Sequence, residues 1–262
     1  MVGGKGRLTS GTHMVGTKKS LGQHWLKNRE ILDEIAELTG SGGLCVEIGP
    51  GLGFLTSSLL RRFDKVIAVE YDDRLAANLP KSFPGTELEV VHGDILEYDF
   101  GGLQGDYAVA GNIPYYITSP IIEKVLTCKP LPKRVVLLMQ KEVAERIMSE
   151  RETVLSLFVK NRAAVMAGPV VRAAEFTPPP KVDSQVMVME PFSDGPVVSD
   201  AVFELIRRGF ASPRKKLVHN LAGVCSREKL LEVFDVVGVS ADARPGDVHL
   251  EEWGKLYEAI NS

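Results

Sequence analysis

Long apolar runs are missing from this chain. The densest, VVLLM at 135–139, has only the length of a strand, far short of the roughly 20 residues that a membrane-spanning helix needs. The opening MVGGKGRLTSGTH lacks the apolar stretch of a secretory signal; it is glycine-rich, without apolar periodicity, and a second methionine follows at Met14. Residues 1–13 therefore read as an added leader, with the native chain starting near Met14. Cysteine is scarce: Cys45, Cys128 and Cys225 lie far apart and in no metal-ligand spacing. That leaves no metal site to expect, and an odd number of thiols suits a reducing, cytoplasmic compartment. Neither charge is in large excess: 31 Lys and Arg face 34 Asp and Glu, for a net charge of −3. By itself that balance argues against a nucleic-acid partner.

Distribution qualifies the sum. Lys18, Lys19, Lys27 and Arg29 lie close together, and IRRGFASPRKKLVHN (206–220) carries Arg207, Arg208, Arg214, Lys215 and Lys216 with no acid between them. A solvated helix face is the plain reading of such a run. Two basic clusters flanking an otherwise acidic chain keep contact with RNA phosphates open as the alternative.

At 262 residues the chain can form one large domain, or one with a small partner. From 44 to 140, the apolar runs LCVEI, KVIAVE, ELEVVH, DYAVA and RVVLLM alternate with helical patterns. Such alternation implies a parallel sheet covered on both faces. The helical patterns KEVAERIM and TVLSLFVKN follow. RAAVMAGPVV (162–171) and QVMVME (185–190) then read as two further strands, joined by a loop too short for a parallel crossover and hence antiparallel. After Pro191 the strand signal stops, and SDAVFELIRRGF, SREKLLEVFDVV and LEEWGKLYEAI read as three amphipathic helices. The expected architecture is α/β over 14–191, with a small all-helical domain over 192–262.

VEIGPGLGFLT (46–56) joins the first strand to its helix. Gly49, Gly51 and Gly53 allow a tight turn that brings backbone close to a ligand at the helix start. The spacing is Glu-x-Gly-x-Gly-x-Gly, not the G-x-G-x-x-G of dinucleotide folds, and this excludes a nicotinamide oxidoreductase. The next strand ends in Glu70, placed to accept from ribose hydroxyls. A ribose acid without a diphosphate signature fits S-adenosylmethionine best. A third strand end offers Asp94 and Ile95 to an adenine amine, although Asp94 could also cap the following turn.

The run GNIPYYITSP (111–120) supplies the reactive chemistry. An exocyclic adenine amine is a poor nucleophile because its lone pair is delocalised into the ring. Acceptors on its N–H groups favour tetrahedral geometry and return the pair to nitrogen. Asn112 offers a side-chain oxygen, Ile113 a carbonyl held outward by the rigid bond to Pro114, and Tyr115 a ring for the base to stack on. Methylation of a pyrimidine carbon would need a covalent thiol, and no cysteine lies in this segment. A flipped base calls for a second aromatic face. Phe176, in EFTPPPKVDS, is the candidate, with a place in the core as its competing role.

Together these stretches, with KKSLGQHWL (18–26), HGDIL, QKEVAERI and FASPRKKLVHNL, resemble the small-subunit ribosomal RNA adenine dimethyltransferases of the KsgA type, from Lys18 onward. The resemblance implies a class I, Rossmann-like methyltransferase sheet with a helical C-terminal domain. It also implies S-adenosylmethionine, with S-adenosylhomocysteine as product, bound through His24, Leu26, Gly49, Glu70, Asp94 and Asn112, with Gln23 and Tyr71 beside them. The implied substrate is a pair of adjacent adenosines in the 3′-terminal hairpin of small-subunit rRNA, dimethylated at N6 on the immature small subunit by a monomer. The chain departs from that family in three places. His24 stands where Asn is frequent, Tyr116 stands where many members have Asn, and MSERETV between Ile147 and Leu155 is short. Two other readings remain: a large-subunit rRNA adenine methyltransferase of the erythromycin-resistance type, and a non-catalytic RNA-binding assembly factor.

Overall fold

The structure, a computed structural model, describes residues 23–262. Residues 1–13, expected to be a leader, and the candidate RNA-contacting Lys18 and Lys19 lie outside the described residues. A two-residue strand β1 (Trp25–Leu26) and helix α1 (Arg29–Thr39) come first. Asn28 caps α1, its side-chain oxygen accepting from the Glu30 and Ile31 N–H groups.

The alternating pattern then folds as expected. Strands β2 (Leu44–Ile48), β3 (Lys65–Glu70), β4 (Leu88–His92), β5 (Tyr107–Asn112) and β6 (Arg134–Gln140) are parallel. Helices α2 (Phe54–Leu59), α3 (Asp73–Ser82) and α4 (Thr118–Val125) lie in the crossovers. Helices α5 (Lys141–Met148) and α6 (Val154–Lys160) lead into β7 (Ala163–Val171). A second two-residue strand, β8 (Phe176–Thr177), precedes β9 (Ser184–Pro191). The sheet order is β4-β3-β2-β5-β6-β9-β7, with β9 antiparallel to both neighbours, as the short loop requires. β1 pairs with β8 in a separate ribbon that the sequence reading does not contain.

Period-two alternation divides the core between the two faces of the sheet. Val46, Ile48, Val109, Val135 and Leu137 pack towards α4, α5 and α6. Cys45, Ala108, Ala110, Val136 and Leu138 pack against Leu32 and Ile35 of α1 and Leu55 and Leu59 of α2.

Beyond Pro191 the chain is helical: α7 (Asp200–Gly209), the short α8 (Leu217–Asn220), α9 (Arg227–Val237) and α10 (Leu250–Asn261). The apolar cluster on the α4–α6 face runs on without a break into Phe203, Ile206, Phe234 and Trp253. Polar contacts close the same junction. Asn161 donates to the Val198 carbonyl and accepts from the Val198 N–H, and the Arg162 guanidinium lies over the Phe158 ring, 4.3 Å from its centroid.

Trp253 is fully buried, and Gly209 is the residue that makes room for it. A Cβ at 209 would fall 2.2 Å from Trp253 Cη2 and 3.1 Å from Leu217 Cδ1. Gly209→Ala should therefore lower stability by about 1–3 kcal/mol, read as a shifted urea midpoint. An unchanged midpoint would mean that the indole can move aside.

Candidate active site

In open α/β sheets, ligands bind at the carboxyl ends of the strands where the strand order reverses. Here the reversal falls between β2 and β5. A cavity of about 380 Å³ opens at that point, within the size range of small-molecule sites. Gln23, His24 and Leu26 line one side. Gly49 and Gly51 come from the loop after β2, Glu70 and Tyr71 from the end of β3 and just beyond it, Asp94 and Ile95 from the loop after β4, and Asn112, Ile113, Pro114 and Tyr115 from the end of β5 and the turn that follows it. The structure thus brings together residues from five separate stretches of sequence.

Two expected residues do not reach the cavity. Gly53, in the left-handed region at φ +83°, faces α3 instead; a Cβ there would meet Phe83 at 2.7 Å and Leu79 at 2.8 Å. Its lack of a side chain makes room for Leu79 and Phe83. Phe176 is 3% exposed, opposite Leu26 in the β1–β8 ribbon and packed in the cluster containing Leu32 and Ile35. Pairing with β1 places Phe176 in the core, the competing role, and it does not line the cavity. The aromatic ring near Tyr115 belongs to His24: the centroids are 6.0 Å apart and the planes differ by 19°.

Hydrogen bonds fix the remaining groups. Glu70 accepts from the Gly51 N–H at one oxygen (3.0 Å) and from the Asp72 N–H at the other (2.8 Å), leaving lone pairs on both. Burial pushes its carboxyl above the ordinary range, and those N–H groups oppose the shift. Asp94 does cap the turn after β4, accepting from the Leu96 N–H at 2.9 Å, and it lines the cavity as well. The Asn112 amide donates from Nδ2 to the His24 carbonyl at 2.9 Å. A carbonyl only accepts, so the NH₂ end is committed there and Oδ1 is left as an acceptor. The His24 ring is held in turn by Nδ1, which donates to the Pro178 carbonyl at 2.7 Å. The Tyr115 hydroxyl lies 2.6 Å from Ser184 Oγ at the start of β9, so the ring is anchored from across the sheet.

Ser184, Tyr116 and Glu47 were not among the expected site residues. Ser184 carries no sequence signal beyond its place in KVDSQV. Tyr116 is 63% exposed at the cavity rim. Glu47 was legible as the first letter of the glycine motif; it lines the cavity at 1% exposure, and its Oε2 is buried without a hydrogen-bond partner.

The basic run on and after α7 is exposed but partly neutralised. Arg207 and Arg208 both lie near Glu204, at 3.7 and 3.8 Å, and Lys216 pairs with Asp242. Arg214 and Lys215 are exposed, and no ion pair among the described residues involves them.

A parallel sheet with this strand order, carrying its ligand cavity at the reversal point and an Asn-Ile-Pro-Tyr turn on its rim, defines a class I methyltransferase. The ribosomal RNA adenine dimethylase family matches residues 14–262, and the chain belongs to that family. A ribosomal RNA small subunit methyltransferase A from Gloeobacter violaceus is 39% identical over 256 residues, 92% of each chain. The protein of the same name from Thermosynechococcus vestitus is 35% identical over 94% of this chain and 98% of its own. Among solved structures, a dimethyladenosine transferase from Plasmodium falciparum superposes with a TM-score of 0.78 at 29% identity, covering 91% of this chain and 98% of its own. The 23S rRNA methyltransferase ErmE gives 0.74 at 27% identity, covering 91% of this chain and all of its own.

Ser184→Ala should cost about 1–2 kcal/mol, because the half-buried Tyr115 hydroxyl loses its partner. Chemical denaturation measures this, and the loss should disappear in a Tyr115→Phe background. A full loss retained in that background would place the role of Ser184 elsewhere.

Proposed function

We propose that this chain transfers methyl groups from S-adenosylmethionine to N6 of two adjacent adenosines in the 3′-terminal hairpin of small-subunit rRNA, acting as a monomer in the cytoplasm on the maturing subunit. The observation that carries the reading is the orientation of Asn112. Its amide is turned by the His24 carbonyl so that an acceptor remains for an amine, beside the Ile113 carbonyl and the anchored Tyr115 ring. Curated relatives that share 35–39% of their residues over nearly the whole chain bear the small-subunit name.

The cavity suits the cofactor. Glu70 keeps lone pairs for two ribose hydroxyls, and Asp94 stands at the next strand end for an adenine amine. A buried carboxyl without a partner, Glu47, lies in the wall where a cationic group would satisfy it. When bound, S-adenosylmethionine supplies an electrophilic methyl on a sulfonium. Asn112 Oδ1 and the Ile113 carbonyl hold the N–H groups of the target amine and draw its lone pair out of conjugation. Tyr115 supports the base from one face. No strong general base is needed, since the nitrogen becomes acidic once it is alkylated. A second transfer starts from a single N–H, so one of the two acceptors then has no donor to meet.

The helices after Pro191, with exposed Arg214 and Lys215, supply the RNA-facing cations of this reading. Charge at phosphates sets affinity and its salt dependence.

Labelled cofactor incubated with undermethylated small subunits should give N6,N6-dimethyladenosine at adjacent positions, identified by mass spectrometry of the nucleosides. Label entering large subunits instead would favour the activity named for ErmE. Asn112→Ala should reduce turnover by about 10²–10³-fold, the usual cost of losing one preorganised polar contact to the reacting group. A catalytically dead Asn112→Ala that repaired every defect of a deletion strain would point to an assembly factor instead. Replacing both Arg214 and Lys215 with Ala should lower the slope of log affinity against log salt by about 2 without changing cofactor binding. An unchanged slope would remove these residues from the interface.

A further inference from the structure

Glu47 is placed between the two groups that would hold the ends of the reaction. The ladder pairs it with Ala68 on β3 and with Ala110 on β5. Residues paired across a parallel ladder share a face, as do residues two apart on one strand. Glu70 and Asn112 each lie two residues beyond those partners, so all three side chains leave the same face of the sheet. Glu47 sits on the strand between the other two and roughly 7 Å deeper. On the cofactor reading given above, the ribose is held at Glu70 and the accepting amine at Asn112. Because sulfur is bonded both to the ribose methylene and to the methyl group, a sulfonium held by those two residues would fall between them, on the side of Glu47.

Among the described residues Glu47 makes no ion pair, and its Oε2 is buried without a hydrogen-bond partner. The titratable group that acts on it is Glu70 across the sheet, and Glu47 in turn helps to raise the thiol of Cys45 on its own strand. Burial pushes the Glu47 carboxyl up to about 8; Thr56 opposes the shift and the negative charge of Glu70 adds to it.

We propose that Glu47 is a proton-linked counter-ion for the sulfonium: neutral in the free cavity, ionised when the donor enters, and neutral again beside the thioether product. The site would then tell donor from product by charge. The sign follows from the chemistry. Below about pH 8 the free site holds the proton, as the raised value requires. A cation favours the carboxylate, so donor binding expels the proton and donor affinity climbs with pH until the free site is itself ionised. The thioether exerts no such pull. Donor and product share the same adenosine and amino-acid groups, so the difference between them isolates the sulfonium.

The test is titration calorimetry of S-adenosylmethionine and S-adenosylhomocysteine on the whole protein, in two buffers of different ionisation enthalpy. Near pH 7 the donor should release close to one proton and the product close to none, and the difference should vanish above about pH 9. The preference for donor over product should rise by up to about tenfold per pH unit below pH 8. Glu47→Gln should abolish the release and make the preference independent of pH. Equal release with both ligands would assign Glu47 to the shared ammonium group and overturn the proposal, as would no release, or release that survives in Glu47→Gln. Binding of neither ligand would overturn the cofactor reading itself, a separate outcome. The comparison of the two ligands on the unaltered protein decides the matter even if the variant does not fold.

Discussion

One hydrogen bond, from the Asn112 amide to the His24 carbonyl, sets the polarity of the site. An asparagine presents a donor at one end and an acceptor at the other, and nothing in the side chain alone decides which faces a ligand. Here a carbonyl 88 residues earlier in the chain takes the donor end. That carbonyl is itself positioned because β1 pairs with β8 and because the His24 ring is tied to Pro178. The N-terminal approach to the sheet and the proline-rich loop after β7 therefore act together on a residue at the tip of β5. Tyr115 repeats the principle: its ring is held by Ser184, on the strand that follows that loop.

Electrostatics gives the cavity a second character. Glu70 and Glu47 are both buried, and burial raises both carboxyls. They differ in how they are satisfied. Glu70 is held by two backbone N–H groups, a fixed arrangement suited to neutral hydroxyls. Glu47 has an oxygen without a hydrogen-bond partner and, among the described residues, no ion pair. The rest of the chain builds a rigid frame around these groups. The apolar cluster continuous from Val46 to Ile260 fixes the C-terminal helices against α6, and Arg162 stacked on Phe158 adds to that junction. A helical segment held in this way keeps the exposed Arg214 and Lys215 at a constant distance from the cavity.

The sheet was legible because its strands are continuous apolar runs with helices between them, a pattern that a doubly covered parallel sheet imposes. Glu70, Asp94 and Asn112 were legible because each ends such a run and their chemistry is complementary to a nucleoside. The ribbon of β1 and β8 was not, since two-residue strands leave no periodicity and their pairing spans about 150 residues of chain. The burial of Phe176 was hidden for the same reason: it depends on that pairing, not on the prolines beside it. α1 went unread although Asn28 caps it, and its apolar face is plain only once Leu32 and Ile35 are seen against the sheet. Glu47 was in view as part of a motif, but its lack of a partner is a property of three dimensions. The basic run kept its exposure, while Glu204 and Asp242 reach it from outside the segment.

The central claim is that Asn112 and Ile113 hold the target amine through oxygen. A crystal structure of the protein with S-adenosylhomocysteine and a short RNA containing the paired adenosines tests it most directly. The account predicts adenine N6 within about 3 Å of both Asn112 Oδ1 and the Ile113 carbonyl oxygen, with the base against Tyr115. A base bound with the Asn112 NH₂ group turned towards it, or seated away from Tyr115, would contradict the account.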